Sequence, residues 1–185
     1  MTTARIIGMV LACAGAPVLA LQPAAPLTPF AATGTVQYAF TPGDAVDSMI
    51  IAAIDEARQQ ILVQAYSFTH RRIADALVRA HRRGVEVGVL VDAEQARSDP
   101  AVLRDLTRGK VPLRYDHQHA AAHNKTMVID AGLEQCVVIT GSYNFTTAAQ
   151  HRNAENALLL RGNPPLCEAY YNNWRRHYTH ASSRR

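Results

Sequence analysis

The sequence has no internal repeat, no low-complexity run and no segment of the polar, highly charged composition that stays unfolded. Its 185 residues, 48% of them hydrophobic, therefore suit one domain with a sizeable core. The long apolar run, Ile6 to Leu19, is short for a bilayer span and is interrupted by Gly15 and Pro17, which argues against an uncleaved anchor. With Arg5 ahead of it and the small-residue stretch Val18-Leu19-Ala20 behind it, the run reads as a secretory signal over residues 1–20, leaving a mature chain that begins near Leu21. Val10-Leu11-Ala12-Cys13 faintly resembles a lipoprotein cleavage box, but the apolar run continues past Cys13, where a lipoprotein would turn polar. No amphipathic segment offers a large exposed apolar face for seating at a membrane.

Cysteine is scarce as well. Of three residues, Cys13 leaves with the signal, and Cys136 and Cys167 remain in a compartment that permits disulfides. A bridge between them, or two small buried hydrophobes, are both open at this point. Charge of one sign is only modestly in excess: the net +4 falls to +3 without Arg5, and eight histidines add positive charge as pH falls. Such a balance permits a polyanionic partner without establishing one. Arg71-Arg72, Arg82-Arg83 and Arg175-Arg176 are candidate phosphate contacts, although cations are expected at helix C-termini on dipole grounds alone.

Residues 21–35 read as a Pro-rich linker, 36–180 as the folded domain and 181–185 as a basic tail. Within the domain, strands alternate with helices, the pattern of an α/β layered fold. Thr41 is placed to cap a first helix with Pro42 in its opening position, and Val46, Met49, Ile50, Ala53, Ile54 and Ala57 form its inward stripe. A strand follows over Ile61 to Tyr66, then a helix from Thr69 to Gly84 with Ile73, Ala76, Leu77 and Ala80 inward. Further strands are expected at Val85–Val91, Val111–Tyr115, Thr126–Ile129, Val137–Thr140 and Ala157–Leu160, with a short helix opened by Asp99-Pro100. The closing helix, from about Pro165, puts Leu166, Tyr170, Trp174 and Tyr178 on one stripe, with Trp174 as a core anchor.

Chemistry concentrates in His123-Asn124-Lys125-Thr126-Met127-Val128-Ile129-Asp130, followed by Gly141-Ser142-Tyr143-Asn144. It occurs once. A strand turns alternate side chains to one face, so His123 and Lys125 share a face, as do Ser142 and Asn144. A phosphodiester is anionic and its alkoxide is a poor leaving group, so its cleavage needs charge neutralisation, a nucleophile and a proton donor. A neutral imidazole can attack phosphorus to give a phosphohistidine. Lys125 can hold the non-bridging oxygens as a point charge, with hydrogen bonds from Ser142 and Asn144.

The spacing H-x-K-x4-D followed by G-S-x-N resembles the signature of the phospholipase D superfamily. Phe40-Thr41-Pro42, Ala65-Tyr66-Ser67-Phe68-Thr69, Arg83-Gly84-Val85 and Asn153-Ala154-Glu155-Asn156-Ala157 extend the likeness to its small, single-motif, Nuc-like bacterial endonucleases, over roughly Val36 to Tyr178. The resemblance implies a single domain with a mixed β-sheet flanked by helices on both faces and a histidine nucleophile, His123. It also implies that Asp130 or Glu155 fixes the tautomer of the imidazole, as carboxylates do in hydrolase triads. Glu155 is the better candidate, because Asp130 falls on the opposite strand face from His123 by parity and could instead end the strand. The catalytic set is thus His123, Lys125, Asp130, Ser142, Asn144 and Glu155, with no cofactor and no metal.

One histidine cannot be neutral nucleophile and protonated acid in the same step. Superfamily members with one motif copy pair two subunits, which implies a homodimer in which the two His123 side chains divide these roles. Should a monomer suffice, His151, His119 or His117 would be the second proton carrier. His117, His119 and His123 also form an H-x-H-x3-H set with spacing that zinc could use, but no carboxylate or cysteine completes it convincingly. Ten residues, Ala131 to Thr140, separate Asp130 from Gly141, more than Nuc-like members typically have. The longer loop would take Leu133, Glu134 and Gln135 to the dimer interface or across the mouth of the cleft.

The function expected is a periplasmic or secreted, metal-independent endonuclease with DNA as substrate and RNA as a second candidate. A phospholipase D or cardiolipin-type lipid hydrolase is the weaker alternative, and a catalytically silent nucleic-acid-binding protein is weaker still, because no motif residue is missing.

Overall fold

The computed structural model describes residues 29–98 and 101–184, so the signal segment, most of the linker and Asp99-Pro100 lie outside the described residues. The chain divides after Phe30, and the unit Ala31–Arg185 carries the fold. Its elements run β1 (Thr35–Thr41), α1 (Val46–Glu56), β2 (Gln60–Ala65), α2 (Arg71–Arg82), β3 (Glu86–Asp92), α3 (Ala93–Ser98), α4 (Ala101–Arg108), β4 (Leu113–Asp116), β5 (Lys125–Ile129), β6 (Val137–Gly141), α5 (Thr147–His151), β7 (Glu155–Arg161) and α6 (Pro164–His180).

The strands form one seven-stranded sheet in the order β1-β7-β6-β5-β2-β3-β4. β2, β3 and β4 are mutually parallel because helices carry the chain between them, whereas β5, β6, β7 and β1 pair antiparallel. The sheet is therefore mixed. Its odd-numbered positions, among them Ile61, Val63, Met127, Ile129, Val137, Ile139 and Leu159, bury against α1, α2 and α4. On the other face α6 lies on β2, β4, β5 and β6, where Trp174 packs on Leu62 and Val128 and donates from Nε1 to the Val63 carbonyl at 2.9 Å. Trp174 is the core anchor its stripe implied. Cys136 and Cys167 form a disulfide that ties the first turns of α6 to the start of β6.

Several boundaries differ from the sequence reading. Thr41 closes β1 instead of capping α1: the Asp44 carboxylate accepts the Phe40 N–H at 2.8 Å, and α1 starts after Ala45 without a side-chain cap. The expected inward stripe of α1 is nevertheless buried throughout. β1, which the sequence reading lacks, is an edge strand that pairs, among the described residues, with β7 alone. The short helices α3 and α5 were also not anticipated. Within the basic tail, Ser182 exchanges two backbone hydrogen bonds with Tyr115 at 2.8 and 2.9 Å.

Candidate active site

β2 and β3 end at the edge of the sheet where β5 begins, the carboxyl-end position at which α/β sheets place their ligands. Asp92, the last residue of β3, is buried and accepts the Ala122 N–H at 2.9 Å and the Gln95 N–H at 2.8 Å. Tyr66, just past β2, donates its N–H to the Asn124 carbonyl at 2.8 Å. These bonds fix the segment on which His123 stands, immediately before β5.

His123 is exposed, while Lys125, two residues on and on the same face, is buried. Lys125 Nζ donates to the His123 carbonyl at 2.8 Å and lies 3.1 Å from His123 Nδ1. An ammonium beside Nδ1 makes that nitrogen the acceptor, so the neutral ring carries its proton on Nε2. The Tyr66 ring completes the support: it packs against the imidazole with centroids 4.3 Å apart, and Lys125 Nζ lies 4.8 Å above it. Burial pulls the Lys125 pKa below its ordinary 10.5, and the negative charge of Glu155 opposes that fall in part.

Gly141 brings β6 to the site with φ 150°, where a Cβ would lie 2.3 Å from the Asn156 carbonyl oxygen, so only glycine allows this approach. The same carbonyl then accepts the Ser142 and Tyr143 N–H groups at 3.1 and 3.2 Å. The Ser142 hydroxyl oxygen accepts from Asn156 N at 3.0 Å and from Asn156 Nδ2 at 3.3 Å, which leaves its own O–H proton to donate outward. Asn144 lines the same groove, with Oδ1 buried and unpaired among the described residues. Beyond it Thr146 caps α5 through the Ala149 N–H at 3.1 Å. Glu155 opens β7 on the far wall, held by Asn153 Nδ2 at 3.0 Å.

Five of the six residues singled out, His123, Lys125, Ser142, Asn144 and Glu155, thus line one open groove. The sixth does not. Asp130 lies at the other end of β5, in the left-handed region at φ 53°, and its carboxylate accepts the backbone N–H groups of Arg58, Gln59 and Gln60 at 2.9, 2.7 and 3.0 Å. It joins the α1–β2 turn to the β5–β6 hairpin. Glu155 stands as the one carboxylate of the set in the groove, and its charge bears on Lys125, while the ring partner of His123 is Lys125 itself. The long hairpin loop also lies at that far end, where Leu133 and Glu134 border a hollow with Asp130, Arg58 and Arg161, so it does not narrow this groove.

The histidine set H-x-H-x3-H is dispersed. His117 contacts the Arg184 carbonyl, His119 turns to Asp116, and His123 faces Lys125. Of the arginine pairs, Arg71 is bonded to Asp105, Arg72 to Asp47, and Arg83 to the Ile54 carbonyl, the engagements of ordinary helix surfaces. Tyr66 supports the site from outside the spacing pattern, in the segment Ala65-Tyr66-Ser67-Phe68-Thr69 that carries part of the wider likeness.

Comparison with known proteins gives a consistent picture. The family model described as "Cardiolipin synthase, PLD-like domain" matches residues 50–178. The phospholipase D of Rickettsia conorii is 38% identical over 139 residues, 75% of this chain and 67% of that protein. The human mitochondrial cardiolipin hydrolase is 28% identical over 117 residues, 63% of this chain and 45% of its own. Among solved structures, Nuc from Salmonella typhimurium, a phospholipase D family member, matches with a TM-score of 0.74 at 32% identity, over 81% of this chain and 97% of that one.

Proposed function

The chain belongs to the phospholipase D superfamily and is a phosphodiesterase of that family, and from this premise we propose that it is an exported endonuclease that cleaves nucleic-acid phosphodiester bonds through His123, without a metal in the reaction. The observation that carries the reading is the convergence of His123, Lys125, Ser142, Asn144 and Glu155 on one open groove, in a fold that covers nearly the whole of Nuc.

The phosphate enters between β5 and β6. Lys125 Nζ moves its donation from Nδ1 to a non-bridging oxygen, and the Ser142 hydroxyl and Asn144 amide add hydrogen bonds as charge builds on phosphorus. The unprotonated ring nitrogen of His123 attacks, the bond from phosphorus to the leaving oxygen breaks, and His123 of the partner subunit gives that oxygen a proton. That second imidazole, now neutral, takes a proton from water as the water attacks the phosphohistidine, which releases His123. The dimer is part of this proposal. So is export, which the Cys136–Cys167 disulfide supports because oxidising compartments permit such bonds.

A second reading rests on the curated relatives named phospholipase D and mitochondrial cardiolipin hydrolase. The chemistry at phosphorus is the same, and only the bound alcohol differs. The discriminating experiment is nicking of supercoiled plasmid with EDTA added together with the substrate, beside hydrolysis of labelled cardiolipin vesicles, for wild type and His123→Asn. Nicking lost in His123→Asn, with lipid left intact, is the expected result. Lipid release without nicking would transfer the protein to the lipid branch.

A further inference from the structure

Outside the groove, four side chains from two distant parts of the chain converge on one point. Asp116 ends β4 and His119 follows three residues later, while His177 and His180 stand three residues apart on the last turn of α6, a spacing that puts both on one helix face. Asp116 Oδ2 lies 3.0 Å from His119 Nδ1, 3.1 Å from His177 Nδ1 and 3.3 Å from His180 Nε2. The carboxylate is fully buried, with its other oxygen held by the Gln118 N–H at 3.0 Å.

Hydrogen bonds alone would gather three imidazoles and the Gln118 N–H on one buried carboxylate, with His119 Nδ1 shared between Oδ1 and Oδ2 at 3.1 and 3.0 Å, so that each imidazole spends one nitrogen on the same group. A four-coordinate ion explains the arrangement better. Ligand distances of about 2.0–2.1 Å put the donor atoms of a tetrahedral zinc site about 3.3 Å apart and the imidazole rings about 5 Å apart. The three donor spacings to Asp116 are 3.0, 3.1 and 3.3 Å, and the ring centroids lie 4.8, 5.3 and 5.4 Å from one another.

We propose that Asp116, His119, His177 and His180 bind one zinc ion. Three imidazoles and one carboxylate are donors that suit zinc, with no thiolate to favour a softer ion. Four protein ligands leave no open position, so the ion is structural. It clamps the end of α6 to the loop that carries His123, where Arg114 already bonds the Tyr178 and Ala181 carbonyls at 3.2 and 3.1 Å. With the disulfide at its start, α6 is then fastened to the sheet at both ends.

The test uses the full chain and reads the metal directly. Zinc content is measured by mass spectrometry after gel filtration, and the apoprotein is titrated with Co²⁺ while the visible absorption of a four-coordinate site is followed. One zinc per chain, a saturating cobalt band at one equivalent and a Tm that rises with added zinc are expected. His177→Ala and His180→Ala should lose the band, whereas His117→Ala and His123→Asn should keep it. If the two alanine variants fail to fold, the wild-type band and Tm decide. A folded wild-type protein without the band, a band that survives in both alanine variants, or one lost in His123→Asn would overturn the site.

Discussion

Lys125 determines how the groove responds to alkali. Burial favours its neutral amine, so it loses its charge below the ordinary 10.5, and Glu155 acts against this. The alkaline limb of kcat/KM should therefore fall below the pH of an exposed lysine, and Glu155→Gln should move it lower still. A limb that rose, or stayed put, would separate Glu155 from Lys125. Lys125→Ala should lower kcat by about 10²–10³, more than it weakens binding, because the cation meets charge that grows in the transition state. A loss confined to binding would contradict that role. At this scale the sequence was legible where strand parity sufficed, as for His123 with Lys125. The role of Asp130 was not legible, since a motif records that a carboxylate follows β5 but not that the backbone of Arg58 to Gln60 turns toward it. Nor was the bond between Lys125 and the His123 ring, which depends on how a flexible side chain folds back.

Among the elements, α6 depends most on long-range ties. Cys136 and Cys167 close a loop with a sequence separation of 31, which by loop entropy stabilises the fold by about 3–4 kcal/mol. The double variant Cys136→Ser/Cys167→Ser should lose that amount of unfolding free energy, with a lower denaturation midpoint, while still nicking plasmid at 25 °C, because the bridge is remote from the groove. An unchanged midpoint would remove the bridge from the stability of this helix. The periodicity of α1, α2 and α6 made these helices legible, and the apolar runs did the same for β2, β3, β5 and β6. The helices α3 and α5, of six and five residues, carry too few turns to show a period. β1 escaped notice because its large apolar residues, Val36, Tyr38 and Phe40, face outward on an edge strand instead of marking a core.

That outward face bears on the whole molecule. Val36, Tyr38 and Phe40 are 60%, 67% and 56% exposed, and Leu158, paired with Tyr38 across the β1–β7 ladder, is 37% exposed. They share a side of the sheet with Asn156, which pairs with Phe40 and bonds Ser142 in the groove. An apolar patch that runs toward the groove is where the second copy of the proposed dimer would pack. Tyr38→Asp with Phe40→Asp should sediment as a monomer and lose about 10²–10⁴ in turnover, the contribution of a general acid. A fully active monomer would place the second proton carrier within one chain, at His151 or His117. Binding of the wild-type patch to cardiolipin vesicles in place of self-association would favour the lipid reading.

The central claim, that His123 is the nucleophile of a phosphodiesterase, is tested most directly by trapping the intermediate. Wild-type protein is mixed with a ³²P-labelled DNA duplex in EDTA, quenched in alkali within the first turnovers, digested and mapped by mass spectrometry. An adduct on His123 whose phosphate is still esterified to one DNA strand, stable to base and labile to acid, is the predicted result. Steady cleavage with no adduct on His123, or an adduct that persists in His123→Asn, would contradict it.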